Sequence, residues 1–271
     1  MRAGWLSLLL LAGCNGQSDI AAGGIVSNNP CIDGVLAEIA APGQIAAVSS
    51  YSHNANSASA PLDWARTMPA IGTSAEEIIA AKPRLLLTGN LASSGTNAAL
   101  TKAGVRFVAV GVPVDVEDNK IQIRAVASAI GRQAAGERLI TQIDDTLAHN
   151  DSDAPISAII WQNGGFVAGA GTLQDALLAA HGFANASATY GLKSWDILPL
   201  ETLIRKPPQV IFMPTSANGD DARALAARRQ LLKHLGGKTR VVNFPDKLLF
   251  CGGPTVIKVS GILSQTREAM Q

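Results

Sequence analysis

The sequence contains few charged and few aromatic residues, and both features limit the functions that the protein can have. Charged residues make up 16% of the 271 residues, the formal net charge is +1, and no long run carries a single sign. Nucleic acids and other polyanions are recognised through clustered positive charge, so we expect no such partner. Aromatic residues make up only 4% of the chain. Each tryptophan or tyrosine outside a predicted core strand is therefore a candidate for a binding role.

Catalytic and metal-binding motifs are also missing. The sequence has no G-x-S-x-G, H-E-x-x-H or C-x-x-C, and "GAGTLQDALL" lacks the third glycine of a dinucleotide site and the Lys-Ser/Thr of a phosphate loop. A helix capped by Thr172, with Asp175 at its third position, explains that string more simply. We expect a binding protein without a resident cofactor. An enzyme and a ligand sensor are the alternatives.

Histidine is scarce as well, and its placement argues against a bare-metal site. Such a site needs three or four converging ligands. Of the four histidines, His149 ends a predicted helix, His234 lies inside one, and His181 lies at a helix C-terminus. Only His53 falls in a loop predicted to face a ligand. We therefore expect no dedicated metal site.

No stretch of the sequence is apolar for the roughly twenty residues that a membrane-spanning helix needs. Residues 1–13 instead have the form of a secretory signal, with Arg2 before a short apolar run. The four residues ending at Cys14 resemble a bacterial lipobox, which implies cleavage before Cys14 and a lipid on its sulfur. Residues 14–23 would then form a flexible tether. These features predict a periplasmic, lipid-anchored protein.

One unit occurs twice in the chain. "AEEIIAAKPRLLLTGN" from residue 75 and "LETLIRKPPQVIFMPT" from residue 200 each read as a helix, a proline and a buried strand. Pro83 and Pro208 end the two helices, because proline has no N–H and forces the residue before it out of the α region. A strand, a turn and a helix precede each copy, and a helix, a glycine and a strand follow it. Alternating strands and helices predict parallel sheets, and two such sets predict two Rossmann-like α/β lobes.

Residues 117–150 separate the two sets. Val126, Ile130, Ile140, Ile143 and Leu147 recur at helical spacing within this segment. About 27 helical residues would form one rod of roughly 40 Å. The sequence therefore predicts an N-terminal lobe over 24–116, a single bridging helix over 117–150, a C-terminal lobe over 151–271, and a cleft between the lobes.

Two cysteines besides Cys14 lie in the exported part of the chain, where thiols meet an oxidising environment. The sequence leaves three possibilities open for Cys31 and Cys251: they form a disulfide, they remain two buried thiols, or they lie at a ligand site.

Several strings, in their order and spacing, resemble the substrate-binding components of bacterial ABC importers for vitamin B12 and iron complexes. They include "NPCIDGVLAEIA", "IAAVSSYSHN", "AEEIIAAKP", "GGFVAGAGTLQDALLAAHG", "SWDILPLETLI" and "CGGP". The resemblance runs from about Ile25 to Leu263. It implies a monomer that holds a corrinoid, haem or ferric siderophore between two lobes and docks onto a dimeric permease in the inner membrane.

Ligands of parallel α/β sheets bind beyond the carboxyl ends of the strands. In the vitamin B12 binders a tyrosine in a string like that around Tyr51 stacks on the ligand, and a tryptophan placed like Trp195 also faces it. Phe166 is either a cleft residue or a staple on its own helix, Trp161 faces either cleft or core, and Asp246 is either a polar cleft residue or part of a surface turn. Tyr51, His53 or Cys31 could touch the metal of the complex. The predicted ligand-binding residues are Asn29, Pro30, Cys31, Tyr51, His53, Asn90, Trp161, Gly165, Phe166, Trp195, Asp246 and Cys251.

A glutamate lies near the start of each repeated helix. Glu76 and Glu201 are suited to the positive end of a helix dipole, which is one reading of their position. In the B12 importer family, one surface glutamate per lobe meets arginines of the permease, and these two residues match those places. The resemblance therefore implies that the two lobes present one carboxylate to each half of the permease.

Overall fold

The computed structural model describes residue 20 and residues 23–89, 94–147, 154–214, 220–235 and 237–271. Within them the chain forms two separate parallel sheets, one in each half of the sequence, joined by a helical segment. The predicted α/β fold with two lobes is confirmed. In this part of the chain no helix is both long and apolar enough to cross a membrane. Cys14 and Asn90 lie outside the described residues.

The N-terminal lobe is built on a sheet of five strands, β1 (Ile25–Ser27), β2 (Ile45–Ser49), β3 (Ala70–Ile71), β4 (Leu85–Gly89) and β5 (Phe107–Val110). The spatial order is β3-β2-β1-β4-β5, and every neighbouring pair is parallel. The helices of this lobe are α1 (Pro30–Ile39), α2 (Leu62–Ala65), α3 (Ala75–Ala80) and α4 (Ser94–Lys102). Because all five strands run the same way, the loops that follow them meet at one edge of the sheet.

A helical hairpin follows β5 in the chain. It consists of α5 (Val116–Ala129) and α6 (Gln133–Thr146), so the prediction of one continuous bridging helix is wrong. Gly131 adopts a φ of 71°, a conformation that ends a right-handed helix and suits glycine. Arg124 pairs with Glu137 at 2.9 Å and Lys120 with Asp144 at 2.5 Å, so the two helices run antiparallel. Folding back buries the apolar positions of both helices against α1, which a single exposed rod would leave in water.

The C-terminal lobe has a four-stranded parallel sheet in the order β11-β10-β6-β8 and a small antiparallel pair, β7 and β9. These strands are β6 (Ile156–Ile160), β7 (Phe166–Ala168), β8 (Phe183–Asn185), β9 (Trp195–Ile197), β10 (Val210–Met213) and β11 (Arg240–Asn243). The helices are α7 (Leu173–Ala180), α8 (Leu200–Arg205), α9 (Asp220–Lys233) and α10 (Thr255–Glu268).

The repeated unit takes the same place in both lobes. It forms α3 and β4 in the first lobe and α8 and β10 in the second, and each of these strands has a neighbour on either side. The predicted strand cores Leu85–Leu87 and Val210–Phe212 are buried, as expected for strands that are covered on both faces. The internal repeat read from the sequence is therefore a repeat of structure.

One apolar core runs through both lobes and the hairpin. It joins Leu36 of α1, Ile123 and Ile143 of the hairpin, Phe212 of β10 and Leu263 of α10. A core that is shared in this way resists large changes in the relative position of the lobes, since opening them would expose its apolar surface.

Candidate functional site

A cavity of about 500 Å³ lies between the two lobes. Its N-terminal wall is Val112, Pro113 and Val114, which follow β5. Its C-terminal wall consists of Gln162 after β6, residues 171–174 at the start of α7, Ser194 and Trp195 at β9, and residues 249–252 before α10. We call this cavity the cleft. Both walls come from chain that follows a strand or begins a helix, where ligands of α/β sheets bind.

A smaller pocket of about 50 Å³ adjoins the cleft, between the N-terminal lobe, helix α5 and the loop before α10. It shares Val112, Pro113, Phe250 and Gly252 with the cleft, so the two form one continuous depression. We call it the inner pocket. Its remaining lining includes Asn29, Asn119 and Gln122, whose side chains are carboxamides. These groups offer hydrogen-bond donors and acceptors without charge.

None of the described residues that line the cleft or the inner pocket is Asp, Glu, Lys, Arg or His. Several are large and exposed: Trp195 is 45% exposed, Phe250 57% and Val112 60%. Exposed apolar groups of this size at a concave surface mark a binding site. The site is therefore suited to a ligand that presents a flat apolar face.

Cys31 and Cys251 form a disulfide, which settles the question that the sequence left open. Their Cα atoms are 5.0 Å apart, and the bond links the start of α1 to the loop before α10, across 220 residues. Cys31 lines the inner pocket and Cys251 the cleft, so both lie at the predicted site. The prediction that Cys31 could touch a metal is wrong in this state, because its sulfur is bonded to Cys251 and is no thiolate ligand.

The two glycines that follow Cys251 let this loop pass close to the N-terminal lobe. A side chain at Gly252 would overlap Asn119 and Pro113, and one at Gly253 would come within 2.8 Å of Val35. The N–H of Gly253 donates to Asn119 Oδ1 at 2.5 Å. The segment "CGGP" is thus a second contact between the lobes, besides the helical hairpin, and it holds the adjacent Phe250 at the cleft.

Tyr51 lies on a short 3₁₀ turn, Ser50–His53, directly after β2. Its ring is 57% exposed, while its backbone is held at both ends. The Tyr51 N–H donates to Ser49 Oγ at 3.3 Å, and Ser57 Oγ donates to the Tyr51 carbonyl at 2.7 Å. Tyr51 does not line the cleft or the inner pocket, and it presents its phenol to solvent beyond the end of the strand. His53 is half-buried, and its Nε2 is 3.1 Å from the Ala65 carbonyl.

Asp33 lies beneath this turn and is fully buried. Its Oδ2 accepts hydrogen bonds from the Ser49 N–H at 2.9 Å and from Ser52 Oγ at 2.5 Å. Burial raises the pKa of the Asp33 carboxyl to about 7, and hydrogen bonds from Ser27, Ser52 and Ser49 partly offset that rise. Asp33 was not among the predicted ligand-binding residues, although a carboxylate in the first turn of a helix was a visible signal.

Three further aromatic residues were predicted to bind the ligand, and two of them are exposed while one is buried in the core. Trp195 of β9 lines the cleft, and Phe166 of β7 is exposed but lines neither cavity. Trp161 is 2% exposed and lies under the guanidinium of Arg228, which is 4.7 Å from its ring centre. A ligand in the cleft therefore does not reach Trp161, because the ring packs in the C-terminal core.

The remaining predicted residues are distributed as follows. Asn29 caps α1 by accepting from the Cys31 and Ile32 N–H groups, and it lines the inner pocket. Pro30 is the first residue of α1, Gly165 lies in the turn between β6 and β7, and Asp246 lies in a 3₁₀ turn. None of these three lines the two cavities.

Sequence reasoning missed the loop after β5. The string "RFVAVGVPV" ends a strand at a glycine, so the strand-end rule could have found residues 111–114. Phe250 was missed too, although it is an aromatic residue directly before Cys251, which was itself a predicted ligand-binding residue. Among the described residues, no group of three or more His, Cys, Asp and Glu is placed to hold a metal ion.

Solved structures of other proteins have a similar fold. The chain resembles three solved structures: the apo periplasmic heme-binding protein RhuT from Roseiflexus sp. RS-1 (24% identity, TM-score 0.71, 91% of this chain and 99% of that chain), the periplasmic heme-binding protein HutB of Vibrio cholerae (18%, 0.72, 92% and 98%), and Helicobacter pylori Ceue with Ni(II) bound (13%, 0.68, 92% and 84%). At these identities the likeness shows the fold.

No curated protein sequence matches the chain. The family model for periplasmic binding proteins, in contrast, matches residues 25–235. The match takes in most of the chain and includes every strand except β11, the helical hairpin and much of the cleft. The chain belongs to the periplasmic binding protein family.

Proposed function

We propose that the protein is the extracytoplasmic substrate-binding component of an ABC importer, and that its ligand is a metal-containing macrocycle, haem or a corrinoid. The observation that carries the proposal is the cleft itself, which is apolar, uncharged in its described lining and bordered by the exposed rings of Trp195 and Phe250. Two of the similar structures are described as periplasmic heme-binding proteins, which supports the same ligand class.

The chemistry of the lining favours a macrocycle over an anionic siderophore. A flat ring system buries apolar area on both faces, at about 25 cal/mol per Å², and needs few charged partners. A strongly anionic ferric siderophore needs cationic side chains to replace its hydration. The carboxamides of Asn29 and Gln122 in the inner pocket, which are half-buried, can meet polar substituents at the edge of a macrocycle.

Tyr51 completes the proposed site from the N-terminal lobe. Its exposed phenol follows a strand end, as the residues of the cleft do, and a half-exposed amphipathic ring suits a ligand that has both apolar and polar faces. We propose that Tyr51 and Trp195 contact the ligand from opposite lobes. Phe166, His53 and Asp246 are further contacts in this proposal, and Asn90 belongs to it as well.

Delivery to the membrane rests on Glu76 and Glu201. Each lies in the first turn of its helix, α3 and α8, and each is exposed. We propose that these carboxylates meet arginines on the two halves of a permease dimer, because exposed charge pairs set the register of a complex and speed its formation. The protein would act as a monomer that binds no nucleic acid.

The proposal includes export and anchoring. Residues 1–13 would direct the chain to the periplasm, and Cys14 would carry the lipid that keeps it at a membrane. A periplasmic enzyme or a ligand sensor outside transport remains the alternative, and substrate turnover without a permease would favour the former.

A ligand panel tests the proposal. A soluble form that begins at residue 20 would be titrated with ferric haem, cobalamin and ferric siderophores, followed by absorption spectra and by thermal unfolding. We expect one of the two macrocycles to bind, and to raise the free energy of unfolding by about 2.7 kcal/mol at a hundredfold excess over its dissociation constant. Trp195→Ala should weaken that binding. The absence of any shift with both macrocycles would contradict the proposal.

A further inference from the structure

Asp33 is a buried acid whose hydrogen bonds reach the turn that carries Tyr51. It is fully buried, as are Ser49 and Ser52, the two residues that bond to its Oδ2. A buried carboxyl group costs stability unless its bonds offset the lost hydration. The role of Asp33 therefore depends on the segment that these two hydrogen bonds hold in place.

The two bonds attach the turn to α1 on both sides of Tyr51. Ser49 lies two residues before Tyr51 and Ser52 one residue after it, and both bond to the same oxygen atom of Asp33. Between these two points the chain forms the 3₁₀ turn, on which Tyr51 is exposed. The bond from Tyr51 N–H to Ser49 Oγ closes the turn locally at 3.3 Å.

We infer that Asp33 is the positioning residue of the proposed ligand site: its carboxylate fixes the Tyr51 turn against α1 and so sets the angle at which the phenol meets the ligand. This inference rests on the proposed function, because it takes Tyr51 as a ligand contact. Asp33 itself does not reach the ligand.

The ionised form of Asp33 holds the turn most firmly. A carboxylate accepts stronger hydrogen bonds than a protonated carboxyl group, whose proton also removes acceptor capacity. The ionisable side chains of the turn, of α2 and of α1 itself are Tyr51, His53, Asp63, Arg66 and Glu38. The hairpin helices α5 and α6 also pack against α1, and their charged side chains are Glu117, Asp118, Lys120, Arg124, Glu137, Arg138, Asp144 and Asp145. In the described chain, none of these forms an ion pair with Asp33.

The chain contains only two tyrosines, so Tyr51 can be observed by itself. The other, Tyr190, donates its hydroxyl to the Lys206 carbonyl at 2.7 Å. Tyr190→Phe protein grown with 3-fluorotyrosine would give one fluorine resonance, from Tyr51. This readout needs no ligand, and it reports the position of the turn directly.

We expect the Tyr51 resonance to move with pH with an inflection near neutrality, and the inflection to vanish in Asp33→Asn. Ser52→Ala, which removes one of the two bonds, should also displace the resonance. His53→Gln should keep the inflection, which separates the effect of Asp33 from that of the histidine on the same turn. Ser74→Ala, which removes the cap of α3 elsewhere in the same lobe, is the matched control and should leave the resonance unchanged.

Ligand affinity is the second readout, measured with ferric haem and cobalamin at pH 7.5. Loss of one or two charge-assisted hydrogen bonds corresponds to about a tenfold loss of affinity in Asp33→Asn and Ser52→Ala, with no loss in Ser74→Ala. A resonance that is the same in Asp33→Asn as in its parent, or an unchanged affinity, would overturn the inference. If the parent binds neither macrocycle, the proposed function fails, while the fluorine data still decide whether Asp33 positions the turn.

Discussion

Breaking the disulfide between Cys31 and Cys251 should cost the protein a large part of its stability. The bond closes a loop of 220 residues, which spans most of the chain. In the chain-entropy treatment, the cross-link removes about 18 cal/mol/K of entropy from the unfolded state for a loop of this length, or about 5 kcal/mol at 25 °C. For a protein of this size such a loss lowers Tm by roughly 10 °C.

The measurement is urea unfolding, followed by tryptophan fluorescence, of the form that begins at residue 20. That form contains only the two cysteines of the disulfide. The oxidised protein, the protein reduced with a dithiol and the Cys31→Ser/Cys251→Ser double variant would be compared. Both lobes share one core, so we expect a single transition in each case and midpoints that are lower for the reduced protein and the variant.

The double variant serves as its own control, because the dithiol should leave its transition unchanged. Two results would refute the reasoning. One is a free energy of unfolding that differs by less than 1 kcal/mol between the oxidised and the reduced protein, since about 5 kcal/mol is expected. The other is the detection of two reactive thiols in the denatured protein before any reductant is added.

Three further predictions concern docking, the cleft and pH. Glu76→Ala with Glu201→Ala should reduce transport while ligand affinity stays within about twofold, because rim charges act mainly on docking; uptake assays and titrations measure the two, and a large loss of affinity would contradict the docking role. Trp195→Ala should weaken macrocycle binding about tenfold with little change in Tm, because the ring is 45% exposed; an unchanged dissociation constant would remove Trp195 from the site. The Asp33 pKa rises from its ordinary 3.8 to about 7 on folding, so the folded protein keeps a proton that the unfolded chain loses. Stability should therefore fall as pH rises from about 4 to 7, by about 4 kcal/mol from this group, and Asp33→Asn should lack that slope in urea unfolding measured across the range.

The fold class and the repeat could be read from the sequence because they depend on local pattern. Pro83 and Pro208 stop helices wherever they occur, and uninterrupted apolar runs such as Leu85–Leu87 belong to strands that are covered on both faces. The bridging segment was misread for a related reason. Its apolar spacing is helical on both sides of Gly131, and only the packing of both halves against α1 shows that the segment turns back there.

The site was predicted in part. The sequence pattern predicted that Tyr51 and Trp195 lie at the ends of secondary-structure elements, and both residues are exposed. Trp161 also lies at the end of a predicted strand, yet it packs beneath Arg228. The difference is that α9, the helix that carries Arg228, covers Trp161. That information is held by residues more than sixty positions away in the chain.

The sequence by itself determined the α/β elements, their duplication, the strand ends at which a ligand site forms and the low charge of that site, because each of these follows from residue types and their spacing. Only the tertiary structure decided that Cys31 bonds to Cys251, that Asp33 lies beneath the Tyr51 turn, and that Phe250 and Val112, which come from different lobes, line the same cleft. Those are contacts between segments far apart in the chain, and chain folding, rather than local pattern, brings such segments together.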